Sequence, residues 1–129
     1  MKKYETKWFC EIDKYAVESY CAIHNESKDK NLGDITKVDI QKVEPVDMIF
    51  HGSPCQDFSV AGNGAGGDEG AGTRSSLMWN AVEIIRQTKP KYVIWENVKG
   101  VLSKKHKHNF DKYIEEMEQL GYVNHYKVL

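Results

Sequence analysis

Two short segments of this 129-residue chain place reactive side chains directly after apolar runs. Cys55 lies in the turn Pro54-Cys55-Gln56, which follows Met48-Ile49-Phe50, and Glu96 directly follows Tyr92-Val93-Ile94-Trp95. A thiol can act as a nucleophile and a carboxyl can donate a proton. The pair would suit a pyrimidine ring, because a thiol that adds at carbon 6 and a proton shared with nitrogen 3 make carbon 5 of cytosine reactive.

Each of these side chains also has a more ordinary interpretation. A single cysteine is usually a small buried hydrophobe, which is the interpretation we keep for Cys10 and Cys21. Pro54, however, restricts the residue before it to extended backbone, which favours a rigid turn that presents the Cys55 thiol. Burial of Glu96 at a strand end would favour the protonated form that a proton donor needs.

The apolar runs and helical periodicities predict alternating strands and helices. Predicted strands cover Trp8-Phe9-Cys10, Met48-Ile49-Phe50, Tyr92-Val93-Ile94-Trp95 and Tyr122 to Leu129. Predicted helices run from Ala16 to His24, from Leu77 to Ile85 with a cap from Thr73 or Ser75 and a stop at Pro90, and from Phe110 to Leu120 with a stop at Gly121.

This alternation indicates the α/β class, with a mostly parallel sheet covered by helices on both faces. In such sheets ligands bind beyond the carboxyl ends of the strands. Glu11, the turn at residues 53–55 and Glu96 all fall at such ends. Three separate segments are therefore expected to face one crevice.

Composition limits the classes of function. The net charge of −1 gives no global basic field for duplex binding, so any affinity for nucleic acid has to be local. The three cysteines are odd in number, lack CxxC spacing and follow no signal-like segment, which favours free thiols in a reducing, cytoplasmic setting. Cys21-x-x-His24 has no further ligand pair at zinc-site spacing, so we expect no metal.

With these motifs in place, the sequence from Glu11 to Leu129 resembles the DNA (cytosine-5)-methyltransferase family, which uses S-adenosyl-L-methionine (AdoMet). The resemblance is carried by Pro54-Cys55-Gln56 and by Glu-Asn-Val-Lys-Gly at residues 96–100. It implies a Rossmann-like AdoMet methyltransferase fold, truncated at both ends. It also implies that Cys55 is the nucleophile and that Glu96 contacts a cytosine flipped out of the duplex.

The resemblance assigns further residues to the cofactor and to DNA. Glu11 would hold the AdoMet ribose and Ile12 would pack on the adenine, while Asp34 and Ile35 would contact the adenine too. The remaining assignments are Pro54 and Leu77 near the cofactor, and Gln56, Ser59, Arg74 and Asn97 toward the substrate DNA.

The glycine-rich residues 61–72 lie between Cys55 and the predicted helix at Leu77. They contain a literal GxGxxG, but the motif follows a turn rather than a strand and has no acidic partner about 20 residues later, so a dinucleotide fingerprint is rejected. In the resembled family this segment is a flap that closes on DNA. Asp68 and Glu69 stand where relatives often have lysines.

Residues 1–129 are expected to be a partial catalytic domain that lacks the family's first strand and its target recognition domain. The expected partner is DNA that contains a target cytosine, in a setting such as restriction-modification. Self-association or a complementing chain would satisfy the unpaired strand edges. Two alternatives stay open: a transfer-RNA cytosine-5 methyltransferase and a catalytically inactive remnant that serves as an interaction module. A hydrolase that uses Cys55 is disfavoured, because His51, which precedes the turn, is the only histidine near a predicted strand end to act as its base.

Overall fold

Helices and strands alternate along the chain, as the sequence predicts. The computed structural model describes residues 3–52 and 77–129. Within these ranges the elements are α1 (Lys14–His24), β1 (Met48–His51), α2 (Met78–Thr88), β2 (Tyr92–Trp95) and α3 (Lys107–Gln119). Short 3₁₀ turns connect them. The predicted α/β class is confirmed.

The two strands pair in parallel along their full length, with Met48 opposite Tyr92 and His51 opposite Trp95. Both coincide with apolar runs of the sequence. A parallel pair requires a crossover connection, and α2 lies within the segment that links the two strands. Their carboxyl ends, His51 and Trp95, therefore meet at one edge of the sheet.

The core lies between the sheet and the helices α2 and α3. On α2 the side chains of Met78, Val82 and Ile85 are almost fully buried, at the i, i+4 and i+7 positions of one helical face. Phe110, Tyr113 and Met117 of α3 join the same cluster, which also contains Ile49 of β1. Arg86 and Glu116, whose side chains form an ion pair at 2.8 Å, tie the two helices together.

The opposite face of the sheet is apolar but exposed. Side chains alternate between faces along a strand, so Met48 and Phe50 share a face with their partners Tyr92 and Ile94. Their exposed fractions are 38%, 71%, 52% and 41%, respectively. Within the described ranges, the expectation that helices cover both faces is therefore wrong, because α2 and α3 pack with the core residues of the other face.

Two predicted strands are reduced or missing in the described residues. At Trp8-Phe9-Cys10 there is a single parallel bridge, which joins Phe9 to Asn31. Tyr122 to Leu129 forms no strand, although the Tyr122 hydroxyl donates a hydrogen bond to the Pro90 carbonyl. Both runs have the composition of a strand, but a strand also needs the backbone of a neighbour to pair with.

The helix ends differ from the expectations in detail. Helix α1 begins after Asp13, whose carboxylate accepts a hydrogen bond from the Ala16 amide at 2.8 Å. Helix α2 has Leu77 at its N-cap position, and the predicted caps Thr73 and Ser75 lie outside the described residues. Helix α3 begins three residues before Phe110, and Gly121 follows it with a φ of +94°.

None of the described helices is long and apolar enough to cross a membrane.

His51 ends β1 inside an aromatic cluster. Its Nε2 is hydrogen-bonded to the Tyr113 hydroxyl at 2.9 Å, and its ring stacks on Trp95 with 6.3 Å between centroids. Burial lowers the pKa of His51 from 6.5 to about 4. Because the folded protein keeps this imidazole neutral while the unfolded chain protonates it, acid should favour unfolding.

We predict that the free energy of unfolding falls as the pH drops from 6.5 toward 4, with His51 contributing up to about 1.4 kcal/mol per pH unit. Above pH 6.5 this contribution is absent, because both states are neutral. Urea unfolding at several pH values should show a shallower slope for His51→Gln. The control His125→Gln, at an exposed position, should keep the wild-type slope, and equal slopes for all three proteins would contradict the prediction.

Candidate functional site

Glu96 lies at the carboxyl end of β2, directly beside the end of β1. Its backbone amide donates to the His51 carbonyl at 3.0 Å, which extends the strand pairing by one residue. A Cβ on Gly52 would lie 3.3 Å from both the backbone oxygen and the Oε2 of Glu96. A side chain at position 52 would therefore crowd Glu96, which would have to shift by a few tenths of an ångström.

The other predicted reactive group follows at once in the chain. Pro54, Cys55, Gln56, Ser59 and Arg74 belong to residues 53–76, which lie outside the described residues. Cys55 is three residues after Gly52, so covalent geometry alone keeps its Cα within about 11 Å of the Gly52 Cα. The thiol is thus tethered to the edge of the sheet where Glu96 is found.

The Glu96 carboxylate itself is exposed rather than buried. Among the described residues the burial expected at this strand end is not found, since Glu96 is exposed. Asn97 shapes the turn that follows, since its Oδ1 accepts from the Val98 amide at 2.8 Å. The side chain of Glu96 is therefore accessible at the carboxyl edge of the strand pair.

A second group of predicted site residues follows the bridge at Phe9. Oε1 of Glu11 accepts hydrogen bonds from the backbone amides of Ile12 and Asp13, both at 2.8 Å. These bonds fix the glutamate side chain through one oxygen. Ile12 beside it is 77% exposed, so its apolar side chain is accessible next to the Glu11 carboxylate.

The third group surrounds Gly33. Oδ1 of Asp34 accepts from the Thr36 hydroxyl at 2.7 Å and from the Thr36 amide at 2.9 Å, and these bonds lower the pKa of the carboxyl. Ile35 is partly buried and packs against the core. Leu77, predicted to lie near the cofactor, is partly buried at the N-cap of α2.

Asn31 joins the second group to the third. Its Oδ1 accepts from the backbone amides of Glu11 and Gly33, both at 3.0 Å, and its Nδ2 donates to the Glu11 carbonyl at 2.9 Å. The parallel bridge between Phe9 and Asn31 brings the two segments side by side. The structure therefore brings the Glu11 turn and the Gly33 turn together.

Gly52 and Asn31 were not identified from the sequence as site residues. Gly52 had a usable signal, since a glycine between an apolar strand and a Ser-Pro turn often permits close approach of another backbone. Asn31 had none, because its bonds depend on a pairing with residues 20 positions earlier.

Among the described residues, side chains that could bind a metal are not grouped in the way that the predicted cofactor residues are. Residues 3–52 and 77–129 contain no cluster of three or more His, Cys, Asp or Glu side chains that could hold a metal ion. The expectation that the protein uses no metal stays a prediction.

Comparison with known proteins places this geometry in context. The family model described as C-5 cytosine-specific DNA methylase matches residues 1–129. An orphan methyltransferase of Bacillus phage SPR is 41% identical over 119 residues, which are 92% of this chain and 26% of that protein. A type II methyltransferase of Lactococcus lactis subsp. cremoris is 46% identical over 100 residues, which are 78% of this chain and 28% of that protein.

The chain thus spans about a quarter of the length of these relatives. The family match covers the whole sequence, and the parallel α/β architecture is consistent with part of a Rossmann-like methyltransferase fold. The resemblance seen in the sequence is confirmed: the chain belongs to the C-5 cytosine-specific DNA methylase family.

Proposed function

We propose that residues 1–129 form part of the catalytic domain of a DNA (cytosine-5)-methyltransferase and carry its nucleophile and its proton donor. The observation that carries this proposal is the position of Glu96. Its carboxylate lies against Gly52 at the carboxyl edge of a parallel strand pair, and Cys55 follows Gly52 by three residues. A thiol and a carboxyl on neighbouring strand ends can reach one pyrimidine from two directions.

The proposed reaction begins when the Cys55 thiolate adds to carbon 6 of cytosine, forming a carbon–sulfur bond. Glu96 shares its proton with ring nitrogen 3, so the electron pair displaced by the addition is stabilised in the ring. Carbon 5 then becomes nucleophilic enough to accept a methyl group. Loss of the carbon 5 proton to a base, followed by elimination of the thiolate, restores the ring and frees Cys55.

The described residues fit AdoMet, the methyl donor of this family. Glu11 is held through Oε1, which leaves Oε2 to accept hydrogen bonds from ribose hydroxyls. The exposed Ile12 side chain offers an apolar surface to an adenine ring. When bound, AdoMet supplies the methyl group, and we propose that Glu11, Ile12, Asp34, Ile35, Pro54 and Leu77 hold it.

The proposed substrate is DNA whose target cytosine leaves the duplex, which costs about a few kcal/mol of unstacking and unpairing. The Glu96 side chain is exposed, which is compatible with entry of an extruded base. We propose Gln56, Ser59, Arg74 and Asn97 as contacts to the base or its flanking backbone. Because the net charge of the 129 residues is −1, other parts of the enzyme have to supply most of the affinity for DNA phosphates.

The free Cys10 and Cys21 thiols suit work in the reducing cytoplasm.

The exposed sheet face formed by Met48, Phe50, Tyr92 and Ile94 supports a further part of the proposal. Parallel sheets are normally covered on both faces, and the relatives are about four times as long as this chain. Within the described ranges β1 also has one edge without a strand partner. We propose that this edge and face receive a strand and an amphipathic helix from complementing polypeptide of the same enzyme.

A chimera tests the nucleophile. This chain would replace the matching segment of the phage SPR relative, and 5-methylcytosine in host DNA would be measured by mass spectrometry. We predict that the chimera methylates DNA and that Cys55→Ser abolishes the signal, because a hydroxyl is far less nucleophilic than a thiolate at neutral pH. Cys21→Ser is the matched control and should retain methylation, whereas full activity of Cys55→Ser would exclude Cys55 as the nucleophile.

In the same chimera, we predict that Glu96→Gln lowers the rate of methyl transfer about 10²- to 10⁴-fold, because an amide cannot transfer a proton to nitrogen 3. Glu115→Gln, at an exposed position of α3, should leave the rate unchanged. Single-turnover kinetics with saturating DNA would separate this effect from binding. A Glu96→Gln chimera as fast as the parent would remove Glu96 from the chemistry.

Mixing experiments test the complementing polypeptide. We predict that the chain alone is a monomer and forms a 1:1 complex with the phage SPR relative from which the matching segment has been deleted. Phe50→Lys should prevent the complex, because it puts a charge into the proposed contact, and Ile23→Lys, an equally exposed position on α1, should not. Sedimentation that shows a homodimer sensitive to Phe50→Lys would favour self-association instead.

A further inference from the structure

We propose that Asn31 is a positioning residue that locks the two adenosine-contacting turns of this chain into one rigid site. The inference rests on the proposed function, because it assigns the turns at Glu11 and Gly33 to the adenosine part of AdoMet. It concerns a side chain that does not itself contact the cofactor. Asn31 would act through the backbone of its two neighbours.

The hydrogen bonds of Asn31 connect segments that little else holds together. Its Oδ1 accepts from the amides of Glu11 and Gly33 at 3.0 Å, and its Nδ2 donates to the Glu11 carbonyl at 2.9 Å. The backbone adds Phe9 N to Lys30 O at 3.0 Å and Leu32 N to Phe9 O at 2.7 Å. These backbone bonds end at Phe9 and Leu32, before either turn begins.

Apart from the bonds of Asn31, the hydrogen bonds described at each turn join residues of the same segment. The Glu11 carboxylate binds the amides of Ile12 and Asp13, and the Asp34 carboxylate binds the amide and hydroxyl of Thr36. Neither set of bonds fixes one turn relative to the other. Of the hydrogen bonds described, the Asn31 side chain alone spans from one turn to the other.

The geometry of an asparagine suits this task. Its amide offers an acceptor and a donor in one plane, so Oδ1 can serve two backbone amides while Nδ2 serves a carbonyl. Both bonds to Glu11 are to its backbone, on either side of the Cα that carries the ribose-binding carboxylate. Asn31 thereby sets the direction of the Glu11 side chain and its separation from Asp34.

The test combines amide exchange in the 129-residue chain with AdoMet binding by the chimera made with the phage SPR relative, which supplies the rest of the sheet. Nuclear magnetic resonance would follow hydrogen exchange of the Glu11 and Gly33 amides without ligand, and calorimetry would measure the affinity for AdoMet. The variants are Asn31→Ala, which loses all three bonds, and Asn31→Asp, which keeps the acceptor but loses the donor to the Glu11 carbonyl. Asn124→Ala is the matched control, because Asn124 bonds to the Ile114 carbonyl of α3 instead.

We expect Asn31→Ala to speed exchange of both amides and to weaken AdoMet binding by about tenfold or more, since it removes three bonds that order the site. Asn31→Asp should fall between Asn31→Ala and wild type in exchange at Gly33. The control should change neither quantity by more than about twofold.

Three results would overturn the proposal in distinguishable ways. Faster exchange in Asn31→Ala with unchanged affinity would show that Asn31 only stabilises the fold. Unchanged exchange would show that the turns are held by other contacts. A parent chimera that binds no AdoMet would contradict the cofactor assignment in the proposed function itself, whatever the exchange rates show.

Discussion

The backbone pairing of β2 with β1 continues up to the last residue of both strands, and the proposed chemistry depends on this. The bond from the Glu96 amide to the His51 carbonyl carries the pairing into the turn, and Gly52 has no side chain to push the carboxylate away. Both contacts help to hold Glu96 beside the segment that leads to Cys55. Catalysis by two groups requires them to be held within a few tenths of an ångström of the productive geometry, and a parallel strand pair provides rigid support for one of the two.

The cofactor side of the site follows a different physical logic. There the polypeptide forms one bridge rather than a paired strand, and side-chain hydrogen bonds replace a ladder. Side chains that bond to nearby backbone can organise a turn without regular secondary structure. One proposal explains both the exposed apolar sheet face at Phe50 and Ile94 and the sparse pairing at Phe9. It is that more of the sheet comes from polypeptide outside this chain.

The two strands that form β1 and β2 could be read from the sequence because both are short apolar runs bounded by loop formers, and each has the other as a partner. The run at Tyr122 has a similar composition but makes no backbone pairing with the described strands, and local sequence does not report whether a run pairs. The class of the fold and the edge position of Glu96 were therefore predictable. The role of Asn31 was not, because its hydrogen bonds join residues about twenty positions apart whose proximity follows only from the folded chain.

The central claim is that Cys55 forms a covalent bond with the base that Glu96 helps to activate. The most direct measurement is intact-mass and peptide mapping of the phage chimera after incubation with AdoMet and a duplex that contains 5-fluorocytosine at the target. Fluorine at carbon 5 cannot leave as a proton, so the elimination that frees the thiol should stall. The account predicts a stable adduct on the peptide that contains Cys55 and none with Cys55→Ser, whereas an adduct on another residue, or one that survives this substitution, would contradict it.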